Sequence, residues 1–256
     1  MALAVAPGNA EEIYVGGVEI YKSTDGGATF EKIISWDYSD NSLPYVHADI
    51  HTLDFYNGTL YTGCDGGIFK LGDGERATWS NLSAGLDISQ FYRIGLDPND
   101  ETVVIGGTQD NGSNILRGDQ WYHIYGADGM EAIVDHTDGD IVYQSFQRGG
   151  INKFTDKGNT LVGQIAGPWN TGRGACVTPY QMDPNDHETL YAGFSDVQKT
   201  SDGGTTWEAI SDFRTGSLLR DLQVSESNPE YIYVTNGSNL MMTKNGGSSW
   251  VAVSSG

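Results

Sequence analysis

An octapeptide that returns three times constrains this chain more than any other feature. Ser23-Thr24-Asp25-Gly26-Gly27-Ala28-Thr29-Phe30, Thr200-Ser201-Asp202-Gly203-Gly204-Thr205-Thr206-Trp207 and Thr243-Lys244-Asn245-Gly246-Gly247-Ser248-Ser249-Trp250 share one pattern of hydroxyl, Asp or Asn, paired glycines and a closing aromatic. The last two copies are 43 residues apart, and the first two are 177 apart, close to four such periods. Trp79 and Trp121 fall in the same phase, and Trp121 precedes Trp207 by 86 residues. A second landmark keeps step: the turns around Pro7, Pro98, Pro184 and Pro229 each precede a β-rich run, such as Glu12-Ile13-Tyr14-Val15 or Tyr231-Ile232-Tyr233-Val234. Short apolar alternations punctuated by Gly, Pro, Asn and Asp read as strands, and no stretch has helical periodicity. Four antiparallel strands repeated at this period make the blade of a β-propeller. The expected fold is all-β, one propeller domain over 1–256 with six blades near 1–44, 45–88, 89–126, 127–173, 174–216 and 217–256. The same phase would suit a piece cut from a larger ring at blade boundaries.

Ser23-x-Asp25-x-Gly27-x-Thr29-Phe30 and Thr200-x-Asp202-x-Gly204-x-Thr206-Trp207 resemble the Asp-box, or BNR repeat, of sialidases, sortilin-type receptors and xyloglucanase-like propellers. The third copy departs from it with Asn245 and Ser249. Asp25, Asp202 and Asn245 are read as structural: a short polar side chain accepts from nearby backbone N–H groups, glycines take positive φ, and the ring packs between blades. A longer resemblance covers the middle of the chain. Val46-His47-Ala48-Asp49-Ile50-His51, Cys64-Asp65-Gly66-Gly67, Gln90-Phe91-Tyr92-Arg93-Ile94, Gly106-Gly107-Thr108-Gln109-Asp110-Asn111-Gly112 and Ala127-Asp128-Gly129 are similar to BNR-like propeller domains of large secreted bacterial proteins. That resemblance implies an extracellular or cell-surface setting inside a larger multidomain protein, with the signal segment outside this chain.

Composition narrows the partners. With 14 Lys+Arg against 34 Asp+Glu the formal charge is −20, a field that repels nucleic acid. No apolar run approaches the ~18 residues that a membrane-spanning helix needs, so membrane insertion is not expected. Cys64 and Cys176 are too few for a disulfide framework, and their places in opposite blades of a six-membered ring predict two free thiols.

Topology says where a ligand would sit. In a four-stranded meander (strands a to d) the start of strand a and the b–c loop share one end, here the loop end. The a–b and c–d turns share the other, the turn end. The loop ends of the innermost strands surround a central funnel, which is the expected ligand face. Those positions carry His47, Asp49, Asp65, Arg93, Gln109, Asp110, Asn111, Asp128, Glu131, Arg148, Arg173, Asp196 and Arg220. His47, Arg93, Gln109, Asp110, Asn111, Arg148, Arg173 and Arg220 are the candidate ligand-binding residues for a glycan or a protein partner.

His47-x-Asp49-x-His51 suggests a metal, but ends of a five-residue strand lie ~13 Å apart, too far for one ion. The histidines are instead expected to wedge between blades on backbone carbonyls. No metal or cofactor is expected beyond calcium held weakly at the Asp138-Gly139-Asp140 or Asp73-Gly74-Glu75 turn. The competing function is glycoside hydrolysis. Asp65-Gly66-Gly67 resembles the catalytic stretch of xyloglucanase-like enzymes, and Asp65 with Asp49 or Asp128 would be the carboxyl pair that the chemistry needs. Tyr92-Arg93-Ile94-Gly95 resembles a sialidase segment, in which Arg93, Arg173 and Arg220 would grip a substrate carboxylate.

Overall fold

The computed structural model describes residues 1–72, 78–86, 88–167 and 171–253. The Asp73-Gly74-Glu75 turn lies outside the described residues. Among those described there is no helix, so none long and apolar enough to cross a membrane. The chain is an all-β propeller-type fold of six four-stranded antiparallel blades, and it divides into two compact units, Met1–Ile88 and Ser89–Gly256.

The first unit holds two blades: β1 (Ala2–Val5), β2 (Ile13–Gly16), β3 (Ile20–Ser23) and β4 (Glu31–Lys32), then β5 (Ile50–Tyr56), β6 (Thr59–Cys64), β7 (Gly67–Leu71) and β8 (Trp79–Asn81). The second unit holds four. Its third blade is β9 (Phe91–Leu96), β10 (Val103–Thr108), β11 (Ser113–Arg117) and β12 (Gln120–Tyr125), and its fourth is β13 (Gly129–Val134), β14 (Val142–Phe146), β15 (Gly150–Thr155) and β16 (Thr160–Ala166). The fifth is β17 (Tyr180–Met182), β18 (Leu190–Gly193), β19 (Val197–Thr200) and β20 (Glu208–Ala209), and the sixth is β21 (Asp221–Val224), β22 (Ile232–Thr235), β23 (Leu240–Thr243) and β24 (Val251–Ala252). Every blade is a simple meander.

Period-2 burial explains why the blades stack. Along β6 every second residue, Leu60, Thr62 and Cys64, is buried, because successive side chains leave opposite faces of a strand. Faces of adjacent blades then share a core. Ile20, Leu53, Leu60 and Phe69 join the two blades of the first unit, Ile105, Val134, Val142 and Phe154 the third and fourth, and Leu222, Ile232, Val197 and Tyr191 the fifth and sixth.

The octapeptides close their c–d turns in one way. Asp25 Oδ1 accepts from Thr29 N–H and the Ser23 hydroxyl, both at 2.8 Å, while Oδ2 takes the Thr29 hydroxyl. Asp202 repeats this with Thr206 and Thr200, whereas Asn245 Oδ1 accepts from Ser249 N–H and the Thr243 hydroxyl while its Nδ2 donates to Ser249 Oγ. These bonds stabilise the charged form, so the Asp25 and Asp202 carboxyls fall to about 2, led by the Thr29 and Thr206 hydroxyls. Each turn also docks on the a–b turn of its own blade: Gly26, Gly203 and Gly246 donate to the carbonyls of Glu11, Glu188 and Glu230. The closing tryptophans reach the blade before, Trp207 Nε1 donating to Ile165 O and Trp250 Nε1 to Ile210 O, each at 2.8 Å. Phe30 has no such donor and is exposed, where a ring packed between blades was expected.

Candidate functional site

At the loop end within each unit, the b–c loop of a blade is tied to the chain entering the next. Val18 O accepts from Asp49 N–H, Cys176 O from Arg148 N–H, and Phe194 O from Leu219 N–H. Between the third and fourth blades a side chain does this work. Asp128 Oδ1 accepts from Asp110 N–H at 2.7 Å, and its Oδ2 accepts from Gln147 Nε2 at 2.7 Å. One carboxylate thus ties together the b–c loops of two blades, with Asp110 held at φ 59°. Gln109 N–H donates to Gln90 O, and Asn111 Nδ2 donates to Gln109 O, so the whole Gln109-Asp110-Asn111 loop is locally closed.

In the first unit, Asp49 is exposed at φ 61°. The Asp65 carboxylate is bonded to His51 Nε2. His51 therefore departs from expectation: its ring is 68% exposed and engages a carboxylate across the sheet instead of wedging on a carbonyl. His47 is half-buried with Nδ1 3.2 Å from Ala48 O, and its ring lies where a side chain at Gly66 would be, which is why glycine follows Asp65.

Inner strands of the second unit carry a further charged group. Arg93 on β9 sets its Nε 3.5 Å from Glu131 Oε2 on β13. Glu131 is largely covered, and its carbonyl accepts from the Tyr180 and Ser145 hydroxyls, both at 3.1 Å. Burial pushes the Glu131 carboxyl up to about 7 against the pull of the Arg93 guanidinium, and the Asp221 carboxylate on β21 adds to the rise. Glu131 stands among the loop-end positions in the sequence, but no motif distinguishes it there. A carboxyl that exchanges its proton near neutrality can serve as acid or base.

Arg148, Arg173 and Arg220 are exposed and have no ion pair among the described residues. Gly174 N–H donates to Arg148 O, which brings the Arg148 and Arg173 segments side by side, and Arg220 N–H is fixed on Thr235 O. Among the described residues no group of three His, Cys, Asp or Glu side chains converges on a point where a metal would sit. Asp138 uses its Oδ1 on Asp140 N–H, a local turn bond. Both cysteines are free thiols, Cys64 buried and pushed up to about 11 by that burial, Cys176 exposed.

No protein-family model matches the chain, and no curated protein does. Solved structures are similar to it. A chain of the nidogen/laminin complex aligns at 14% identity over 76% of this chain and 77% of its own, with a TM-score of 0.50. The GH74 xyloglucanase from Xanthomonas campestris aligns at 15% identity over 98% of this chain and 46% of its own, with a TM-score of 0.44. A chain of the mitotic checkpoint complex aligns at 12% identity over 98% and 83%, with a TM-score of 0.46. This chain thus spans less than half the length of the xyloglucanase. At such identities likeness speaks to fold alone.

Proposed function

We propose that this chain is a non-catalytic interaction module of a larger extracellular or cell-surface protein, and that it binds a glycan or protein partner through the loop end of its second unit. The observation that carries this reading is the contrast between committed acids and free bases. Asp128, the candidate catalyst of this unit, is spent on bracing two loops, whereas Arg148, Arg173 and Arg220 are exposed and unpaired in a chain of charge −20. A guanidinium offers a fork of donors to carboxylate or hydroxyl groups. The bonding scheme of the octapeptides supports reading them as Asp-boxes, and with it the secreted setting. An array of neutral and acidic glycans and peptides tests the proposal. Binding is expected, and it should weaken about a hundredfold when Arg148, Arg173 and Arg220 are all replaced by alanine, roughly 1 kcal/mol for each charge-assisted contact. Full binding by the triple variant would overturn it.

One observation favours a second reading, glycoside hydrolysis. Glu131 is poised near neutrality beside Arg93, with the Asp221 charge close enough to be felt, and an acid paired with a second carboxylate is what that reaction uses. Release of reducing sugar from a polysaccharide, lost in Glu131→Gln with the fold intact, would replace the binding-only reading with this one.

A further inference from the structure

Between the fifth and sixth blades a pocket of about 470 Å³, lined by neither Arg93 nor Glu131, opens at the loop end. That size suits a small ligand. Its wall is aromatic: Phe213 and Trp250 meet edge to face, with ring centroids 5.2 Å apart, over Leu219 and Met241. Its rim is amide-rich, from Asn236 and Asn239 in the b–c loop of the sixth blade.

The wall is set before any ligand arrives. Asp196 Oδ1 accepts from Phe213 N–H and from the Ser211 hydroxyl, both at 2.8 Å, and Ser211 Oγ accepts in turn from Val197 N–H. Trp250 is oriented by its bond to Ile210 O. Preorganisation of this kind lowers the entropy cost of binding. The rim carries no free charge, because Asp212 Oδ2 accepts from Arg214 Nε and Nη2 at 2.8 and 2.6 Å. Asn236 spends its Oδ1 on the N–H groups of Ser238 and Asn239, which leaves its Nδ2 for a ligand. The side-chain amide of Asn239 has no partner among the described residues and is exposed at the mouth.

We propose that this pocket binds an uncharged sugar ring of a glycan. The C–H face of a pyranose is apolar and flat enough to lie against an aromatic wall. Its hydroxyls both donate and accept, which matches side-chain amides that do the same. Of the lining side chains only Asp212 is ionic, and it is already paired, so an ionic ligand would find no free charge in the wall. An apolar peptide side chain would cover the rim amides without satisfying them, a loss of ~1–3 kcal/mol for each buried group.

The test is saturation-transfer NMR on the full chain with cellohexaose, xylohexaose, mannohexaose and laminarihexaose at millimolar concentration. At least one is expected to receive saturation at its ring protons, and Asn239→Ala should weaken that binding about fivefold to tenfold. Phe213→Ala should abolish it, with circular dichroism to check the fold; Asn239→Ala, at an exposed position, keeps the test valid if that variant unfolds. No transfer to any of the four sugars would overturn the proposal, as would capture of a Phe-rich peptide in their place. Sugar binding that survives Asn239→Ala but is lost when Arg148, Arg173 and Arg220 are replaced would also overturn it, while leaving the broader binding reading intact.

Discussion

At the turn end of the blades, Asp25, Asp202 and Asn245 make the same bonds to the residues two before and four after, and each turn donates a glycine N–H to the neighbouring a–b turn. At the loop end the junctions share no side chain: backbone N–H to carbonyl bonds at Val18, Cys176 and Phe194 serve three of them and the Asp128 carboxylate a fourth. The difference has a physical cause. Turns closed by their own side chains need particular residues at fixed spacing, so their sequence repeats. Loops joined through backbone groups, which every residue supplies, leave side chains free to differ. Variation is thus concentrated where arginines, Glu131 and the Phe213 pocket are found.

Glycine substitutions put the comparison at risk most directly. Gly204 lies at φ 96° in an octapeptide turn, and a Cβ there would come within 2.7 Å of Ile165 Cβ. Gly237 lies at φ 88° in a b–c loop, with nothing within 4 Å of such an atom. Both alanine variants incur the left-handed backbone penalty of ~1–2 kcal/mol. Only Gly204→Ala adds overpacking, for a total of about 2–4 kcal/mol. Urea unfolding of the two variants should therefore differ by more than about 1 kcal/mol. Equal losses would mean that the turn end is no more tightly specified than the loop end.

Glu131 sharpens the contrast from the other side. Its carboxyl has a folded pKa of about 7 against an ordinary 4.5, so the folded state binds more protons between those values. Stability should fall as pH rises through that window, leaving a cost of up to about 3 kcal/mol above pH 7. Glu131→Gln removes the cost: the variant should be more stable than the parent at pH 8 and no different at pH 4. A parent curve that is flat from pH 4 to 8 would show that Glu131 ionises freely and holds no strain.

What could be read from the sequence follows the same division. The octapeptides and Pro turns locate the blades because their chemistry is local. A further repeat was there to be read: Tyr14 with Lys22, Tyr61 with Lys70, Tyr143 with Lys153 and Tyr191 with Lys199 are cross-strand partners in four blades. Three of these pairs place the ammonium 5.4–5.7 Å from the ring centre. The pocket was not legible, since Phe213 lies in a connection between blades and is positioned by Asp196, seventeen residues earlier. Asp128 was legible as a loop-end acid, but not as a brace, because its partners Asp110 and Gln147 lie on either side of it in different blades.

The smallest effect belongs to the turn end. His187 Nδ1 lies 2.8 Å from Asp135 Oδ2, and His136 Nε2 lies 3.0 Å from Asp183 O, so two histidines cross-link the a–b turns of the fourth and fifth blades. The bond to Asp135 raises the His187 pKa above its ordinary value. Asp135 is buried, a cost outweighed by bonds from Thr137 and His187 that hold its carboxyl below the usual range. A histidine with a raised pKa contributes fully below pH 6.5, and the contribution disappears as pH climbs through the folded value. Because the imidazole is 39% exposed, solvent screens the pair and the effect should stay below about 1 kcal/mol. His187→Gln should therefore be measurably less stable than the parent at pH 5.5, with the gap closing by pH 8.5. If the gap has the same size at both values, the contact is a neutral hydrogen bond, and the turn end is held without help from charge.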